Sequence, residues 1–146
     1  MIKNEVLIIL EEKFCTKKVF EFIKKMRRYN KTKVNVCLVS QYKEQLDLNS
    51  IDLTVNFHLI LSEDKTFIEK SNLILVELEK VIKILNTDVM IIFGNSVTSL
   101  NASLAANRNN IKIVYINSFF KVDNCKNYVL ENIINEVIND LATFKF

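Results

Sequence analysis

Two kinds of segment alternate along the chain. Short, almost wholly apolar runs occur at Val6–Leu10, Val34–Val39, Phe57–Leu61, Val89–Phe93 and Ile111–Ile116, most of them rich in Val and Ile. Runs of this length with no inside–outside alternation suit strands buried on both faces, as in a parallel sheet. Asn35, His58 and Lys112 are the polar interruptions. Between the runs lie longer segments with helical period. Lys17–Tyr29 presents Val19, Phe22, Ile23 and Met26 on one side, and Thr66–Leu85 presents Ile74, Leu78, Val81, Ile82 and Leu85. Val97–Ala106 is small and apolar on one side. Tyr128–Phe144 carries Ile133, Ile134, Val137, Ile138 and Leu141.

With a short helix between the second and third strands, the order is β-α-β-α-β-α-β-α-β-α. That alternation predicts right-handed crossovers and a parallel sheet with helices on both faces, a three-layer α/β Rossmann-like fold. Ligands of such sheets sit beyond the carboxyl ends of the strands. Candidate functional residues therefore lie in Glu11-Glu12-Lys13, Ser40-Gln41-Tyr42, Ser62-Glu63-Asp64, Gly94-Asn95-Ser96 and Asn117-Ser118-Phe119. No linker, repeat or low-complexity tract divides the 146 residues, so residues 1–146 read as one domain.

Composition changes this picture by exclusion. There is one Gly and no Pro. Loops that wrap phosphates need several glycines, because backbone must approach the anion at φ values other residues resist. A Walker loop and a dinucleotide fingerprint are both excluded. One histidine, and three cysteines (Cys15, Cys37, Cys125) far apart, leave no metal-ligand spacing, and no cofactor motif is evident. Free thiols fit a reducing cytoplasm. No apolar run is long enough to span a membrane, and the run after Met1-Ile2-Lys3-Asn4-Glu5 is too short for a signal peptide. The net charge of +3 argues for no nucleic-acid partner by itself.

Several residues have a structural and a functional reading. Gly94, between a strand and a helix, serves positive φ or close packing. Ser96 reads first as the cap of the next helix; for Asn95, capping and ligand contact stand equal. Glu131 suits a helix N-terminus electrostatically. The basic stretch from Lys13 to Lys33 follows the polar face of a helix. A solvated face is the simpler reading, and an anion-binding module the alternative. His58 reads as a core or edge histidine. Cys15 reads as a plain thiol, with a helix-activated thiolate the alternative. Phe119 and Phe120 either plug a crevice or form a contact surface.

The region Thr87-Asp88-Val89-Met90-Ile91-Ile92-Phe93-Gly94-Asn95-Ser96-Val97-Thr98-Ser99-Leu100-Asn101-Ala102-Ser103-Leu104-Ala105-Ala106, followed by Ile111–Asn117, resembles the bacterial non-hydrolysing UDP-N-acetylglucosamine 2-epimerases. The family pattern there is P-D-V-V-x-V-H-G-D-T-x-T-x-L-A-x-S-L-A-A, then I-P-V-x-H-V-E-A-G-L-R-T. Gln41-Tyr42-Lys43-Glu44-Gln45-Leu46-Asp47 looks like the family's Q-H-x-E-M-L-D, and Leu130-Glu131 like its P-E-E. The resemblance implies the N-terminal domain of a glycosyltransferase-B architecture, with strand order 3-2-1-4-5. The family's second domain, which holds most of the UDP contacts, has no counterpart in this chain.

The family removes the C2 proton of the sugar, expels UDP and re-adds it with C2 inverted. That needs a carboxylate base and cationic help for the leaving diphosphate. Asn95 stands where the family has the H-G-D aspartate, and Asn117 where it has the V-E-A-G glutamate. An amide keeps the shape but does not take up the proton. Only Glu131 keeps its acid. Lys13 falls at the position of the family's arginine, a point charge for a bidentate fork. Glu11 and Glu12 enter where a diphosphate would approach. By resemblance, Lys13, Gln41, Gly94 and Ser96 fall at substrate-binding positions. The expectation is a catalytically inactive domain with a binding or scaffolding role. The alternatives are one half of a split epimerase needing a partner C-terminal domain, and the basic anion-binding module. The resemblance also implies a UDP-sugar ligand and a homodimer through N-terminal-domain helices, with Thr66–Leu85 as the candidate.

Overall fold

A computed structural model describes residues 3–41, 53–117 and 128–146. Its elements are β1 (Asn4–Glu11), a 3-10 turn (Glu12–Phe14), α1 (Lys17–Arg28), β2 (Thr32–Ser40), β3 (Phe57–Ile60), α2 (Phe67–Leu85), β4 (Val89–Phe93), α3 (Val97–Arg108), β5 (Lys112–Ile116), α4 (Tyr128–Leu141) and β6 (Phe144–Lys145). All strand pairs are parallel, in the order β3-β2-β1-β4-β5-β6. The Rossmann-like architecture and the order of the first five strands match the sequence reading. The short helix expected between β2 and β3, Tyr42–Asp47, Phe119, Phe120 and Cys125 lie outside the described residues.

The sheet splits its apolar residues by the two-residue period of a strand. Leu7 and Ile9 of β1, Cys37 and Val39 of β2, and Met90 and Ile92 of β4 face the layer of α2, α3 and α4. Val6, Ile8, Leu10, Val36, Ile91 and Phe93 face α1 with Val19 and Ile23. Most core residues of β1, β2 and β4 are almost fully buried, which explains why their runs carry no polar alternation.

The helices begin where their caps dictate. Thr66 and Glu69 form a reciprocal capping box at the start of α2: Thr66 Oγ1 accepts from Glu69 N–H, and Glu69 Oε2 accepts from Thr66 N–H at 2.7 Å. Asn86 ends α2 in the left-handed region at φ 50°. Ser96 caps α3 by accepting from Ser99 N–H at 3.0 Å. Ala102, Ala105 and Ala106 are buried and bring α3 close to the sheet, and Asn101 Nδ2 donates to Ser71 Oγ across to α2.

Two expectations need correction. The last helix stops at Leu141 rather than Phe144, and the following residues form β6. The open edge of β5 still has unpaired backbone groups, and the tail satisfies them: Thr143 N–H donates to Ile113 O, Phe146 N–H to Tyr115 O, and Asn117 N–H to Phe146 O. Among the described side chains of α4, Ile134 and Ile138 are the buried ones, whereas Ile133 and Val137 face outward. Helical period marks a stripe but does not choose which side of a wide stripe meets the sheet.

Gly94 has φ 76°, and its N–H donates to Ile116 O. A Cβ there would lie 2.2 Å from Phe14 Cζ, so the positive-φ reading of this glycine holds, and the close packing is against the Phe14 ring rather than between helix and sheet. Gly94→Ala should cost about 2 kcal/mol or more in urea unfolding. Adding Phe14→Leu should return the steric share and leave the φ share.

Cys15 and Cys37 are free thiols, and burial pushes each up to about 12, with the Glu12 carboxylate adding to the effect at Cys15. The activated-thiolate alternative for Cys15 is therefore overturned: burial and a neighbouring anion both oppose ionisation. In a Cys125→Ser background, alkylation at pH 8 should be slow in the folded chain and fast in urea. The unfolded thiols ionise near 8.5, below the folded ones, so stability should fall as pH rises from about 8.5 towards 12. A pH series of urea midpoints checks the sign.

Candidate functional site

A cavity of about 630 Å³ opens at the carboxyl ends of the strands. It lies where the chain order reverses: β1 continues outward to β2 and β3, while β4 continues the other way to β5 and β6. At such a switch point the connecting loops part and leave a crevice. One wall is the end of β1 and the 3-10 turn, with Glu11, Glu12 and Lys13. Val39, Ser40, Gln41 and Leu61 extend it across β2 and β3. The facing wall is the first turns of two helices, Phe67, Lys70, Ser71 and Ile74 from α2, and Ser96, Val97 and Thr98 from α3. The capping residues Thr66 and Ser96 fix where these turns begin and so set the far wall.

Of the substrate-binding positions implied by the resemblance, Lys13, Gln41 and Ser96 line this cavity, together with Glu11, Glu12 and Ser40 of the strand-end loops. Lys13 Nζ lies 3.8 Å from Glu11 Oε1 and 5.1 Å from the centre of the Phe14 ring. Its charge is thus engaged with its own wall. Gln41 is exposed beyond β2. Ser96 is buried and bonded to Ser99 N–H and Ser99 Oγ, so its capping role is the one the geometry displays. Gly94 does not line the cavity; its missing Cβ makes room for the Phe14 ring.

Asn95, Asn117 and Glu131 do not line the cavity. Asn95 and Asn117 follow neighbouring strands, with Phe93 in register with Ile116. Asn117 Nδ2 donates to Asn135 Oδ1 of α4 at 3.2 Å, and the same oxygen accepts from Tyr115 Oη at 2.9 Å. Asn117 therefore serves the joint between β5 and α4. Burial pushes the Tyr115 hydroxyl well above its ordinary range, which keeps it a donor. Glu131 is half-buried in the first turn of α4 and is engaged with a neighbour.

Lys70, Phe67 and Ser71 were missed by the sequence reading. Their signal was the Thr66–Glu69 capping pattern, which places the first turns of α2 at the carboxyl end of the sheet. His58, on β3, bonds Ser40 Oγ through Nε2 at 2.6 Å, in keeping with an edge histidine. Arg27 donates to Thr54 O at 2.7 Å and Asn56 Oδ1 at 3.0 Å, so part of the basic face of α1 ties down the approach to β3. Among the described residues no His, Cys, Asp and Glu side chains converge as a metal site, and no helix is long and apolar enough to cross a membrane.

No family model matches the chain. A UDP-N-acetylglucosamine 2-epimerase of Campylobacter jejuni is 25% identical over 98% of the chain, which covers 38% of that protein. Among solved structures, the Neisseria meningitidis UDP-GlcNAc 2-epimerase bound to UDP-GlcNAc has a TM-score of 0.82 at 22% identity, with 97% of this chain and 39% of that one covered. The Methanocaldococcus jannaschii UDP-GlcNAc 2-epimerase in complex with UDP-GlcNAc and UDP has a TM-score of 0.76 at 20% identity, with 97% and 40% covered. The fold is that of these enzymes, an α/β Rossmann-like domain of glycosyltransferase-B type. The chain is similar in sequence and fold to UDP-N-acetylglucosamine 2-epimerases, and spans about two fifths of their length.

Proposed function

We propose that this chain is an epimerase-type sugar-binding domain that holds its ligand without turning it over. The observation that carries the reading is the 630 Å³ cavity at the switch point, which keeps polar lining at Gln41, Ser71, Ser96 and Thr98. The absence of catalysis rests on chemistry. Removing a proton from carbon needs an acceptor whose basicity matches the task. Asn95 and Asn117 are amides, and Asn117 is committed to Asn135. Glu131 and Lys13 are the ionisable groups left at family positions, and Lys13 is paired with Glu11. A binding or scaffolding role in a reducing cytoplasm accords with the free thiols at Cys15 and Cys37.

A second reading is one half of a two-part nucleotide-sugar epimerase, with the UDP-binding domain supplied separately. It is favoured by the chain's spanning two fifths of its relatives. Self-association through α2 accords with the outward-facing Ile68 and Ile84.

In deuterium oxide the isolated chain should leave the C2 proton of UDP-N-acetylglucosamine unexchanged and form no manno epimer. Titration with the same ligand should still move NMR signals of cavity residues, with a dissociation constant of about 1 mM. Deuterium at C2 would refute the inactive reading. Turnover only after a second domain is added would select the two-part enzyme.

A further inference from the structure

We infer that the outer face of α1 binds the phosphate backbone of a single-stranded nucleic acid. Between Lys13 and Lys33 the chain holds nine basic residues and a single acid, Glu21, against a net charge of +3 for all 146 residues, so the remainder is net acidic. The fold concentrates this charge. Lys17, Lys18, Glu21, Lys24, Lys25 and Arg28 share about a third of the circumference of α1, opposite the buried Val19 and Ile23. Lys17, Lys18, Lys25 and Arg28 are exposed, as is Lys31 just beyond the helix. None of these residues lines the cavity, and α1 packs on the other face of the sheet from α2, α3 and α4.

Two observations set this face apart from ordinary solvated charge. On α2, Lys80 and Lys83 pair with Glu77 and Glu79 at 3.1 and 3.4 Å. On α1, Glu21 lies one turn from Lys17, Lys18, Lys24 and Lys25. Yet among the described residues Lys17, Lys18, Lys25, Arg28 and Lys31 have no ion-pair partner. The second observation is at the start of the helix. α1 opens on Lys17 and Lys18 with no acid in its first turn, whereas α2 has Glu69 there. The positive end of a helix dipole repels cations. Helix stability therefore does not account for these two lysines, and a bound polyanion does.

The shape of the face selects the partner. The apolar side of α1 is spent on the core, and among the described residues from 13 to 33 Tyr29 is the exposed large hydrophobic. A face with no apolar row to insert offers a membrane charge alone. A string of phosphates suits it better, since a row of cations neutralises successive charges and releases their counterions. Tyr29, at the end of the row and 53% exposed, offers a ring on which a base can stack. The arc carries no Asn or Gln to read base edges, so binding is independent of sequence.

The test follows the fluorescence anisotropy of a labelled oligouridylate titrated with the full chain. Affinity should fall about twentyfold between about 50 and 200 mM salt, as neutralising about three phosphates requires. Lys18→Gln/Lys25→Gln should flatten that fall to about threefold. Lys17→Gln/Lys18→Gln should weaken binding while raising the urea midpoint, a combination that a merely structural role does not give. Tyr29→Ser should weaken binding of the oligouridylate more than that of a DNA duplex. No binding at low salt, an unchanged salt dependence in the lysine variants, or equal affinity for polyglutamate or for phosphatidylserine vesicles would overturn the inference and leave the reading of the cavity standing.

Discussion

The ring of Phe14 fills the space that a side chain at residue 94 would need. Much of the site depends on that contact. The 3-10 turn packs against the end of β4, and this seats Glu11, Glu12 and Lys13 at the mouth of the sheet. On the other side of Gly94 the chain turns through positive φ into Ser96, which starts α3 at the opposite wall. In a chain with a single glycine, that residue stands where an aromatic ring lies against the backbone.

The central strands were legible because burial on both faces leaves so little room for polar residues. The cap at Ser96 was legible for a similar reason, since only certain side chains can satisfy the first turn. What escaped was decided by partners. β6 is two residues long and exists because β5 offers it a ladder. The outward position of Ile133 and Val137 follows from the rotation of α4 on the sheet, which its own sequence does not state. Asn117 is the plainest case. Its amide contact with Asn135, on the face of Tyr115, comes from the packing of α4, which the motif around it does not state. Lys70 lies far along the chain from every motif and reaches the cavity only through the packing of α2.

The similarity to sugar epimerases and the departures from them concern different layers of the molecule. Sheet order, crossovers and the crevice come from backbone topology, which tolerates wide sequence change so long as the core stays apolar. Reactivity comes from a few side chains at strand ends, and there the chain carries amides and a pair of glutamates.

The two-residue strand at the edge has one more consequence. An all-parallel sheet rich in Val and Ile, without proline, would present at β5 a ready template for a foreign strand. β6 takes up those bonds and leaves a border only Phe144 and Lys145 in extent. So short a border gives an incoming chain too few partners to register against, and it carries a lysine besides. On that side β6 covers the edge of β5 against sheet-to-sheet pairing.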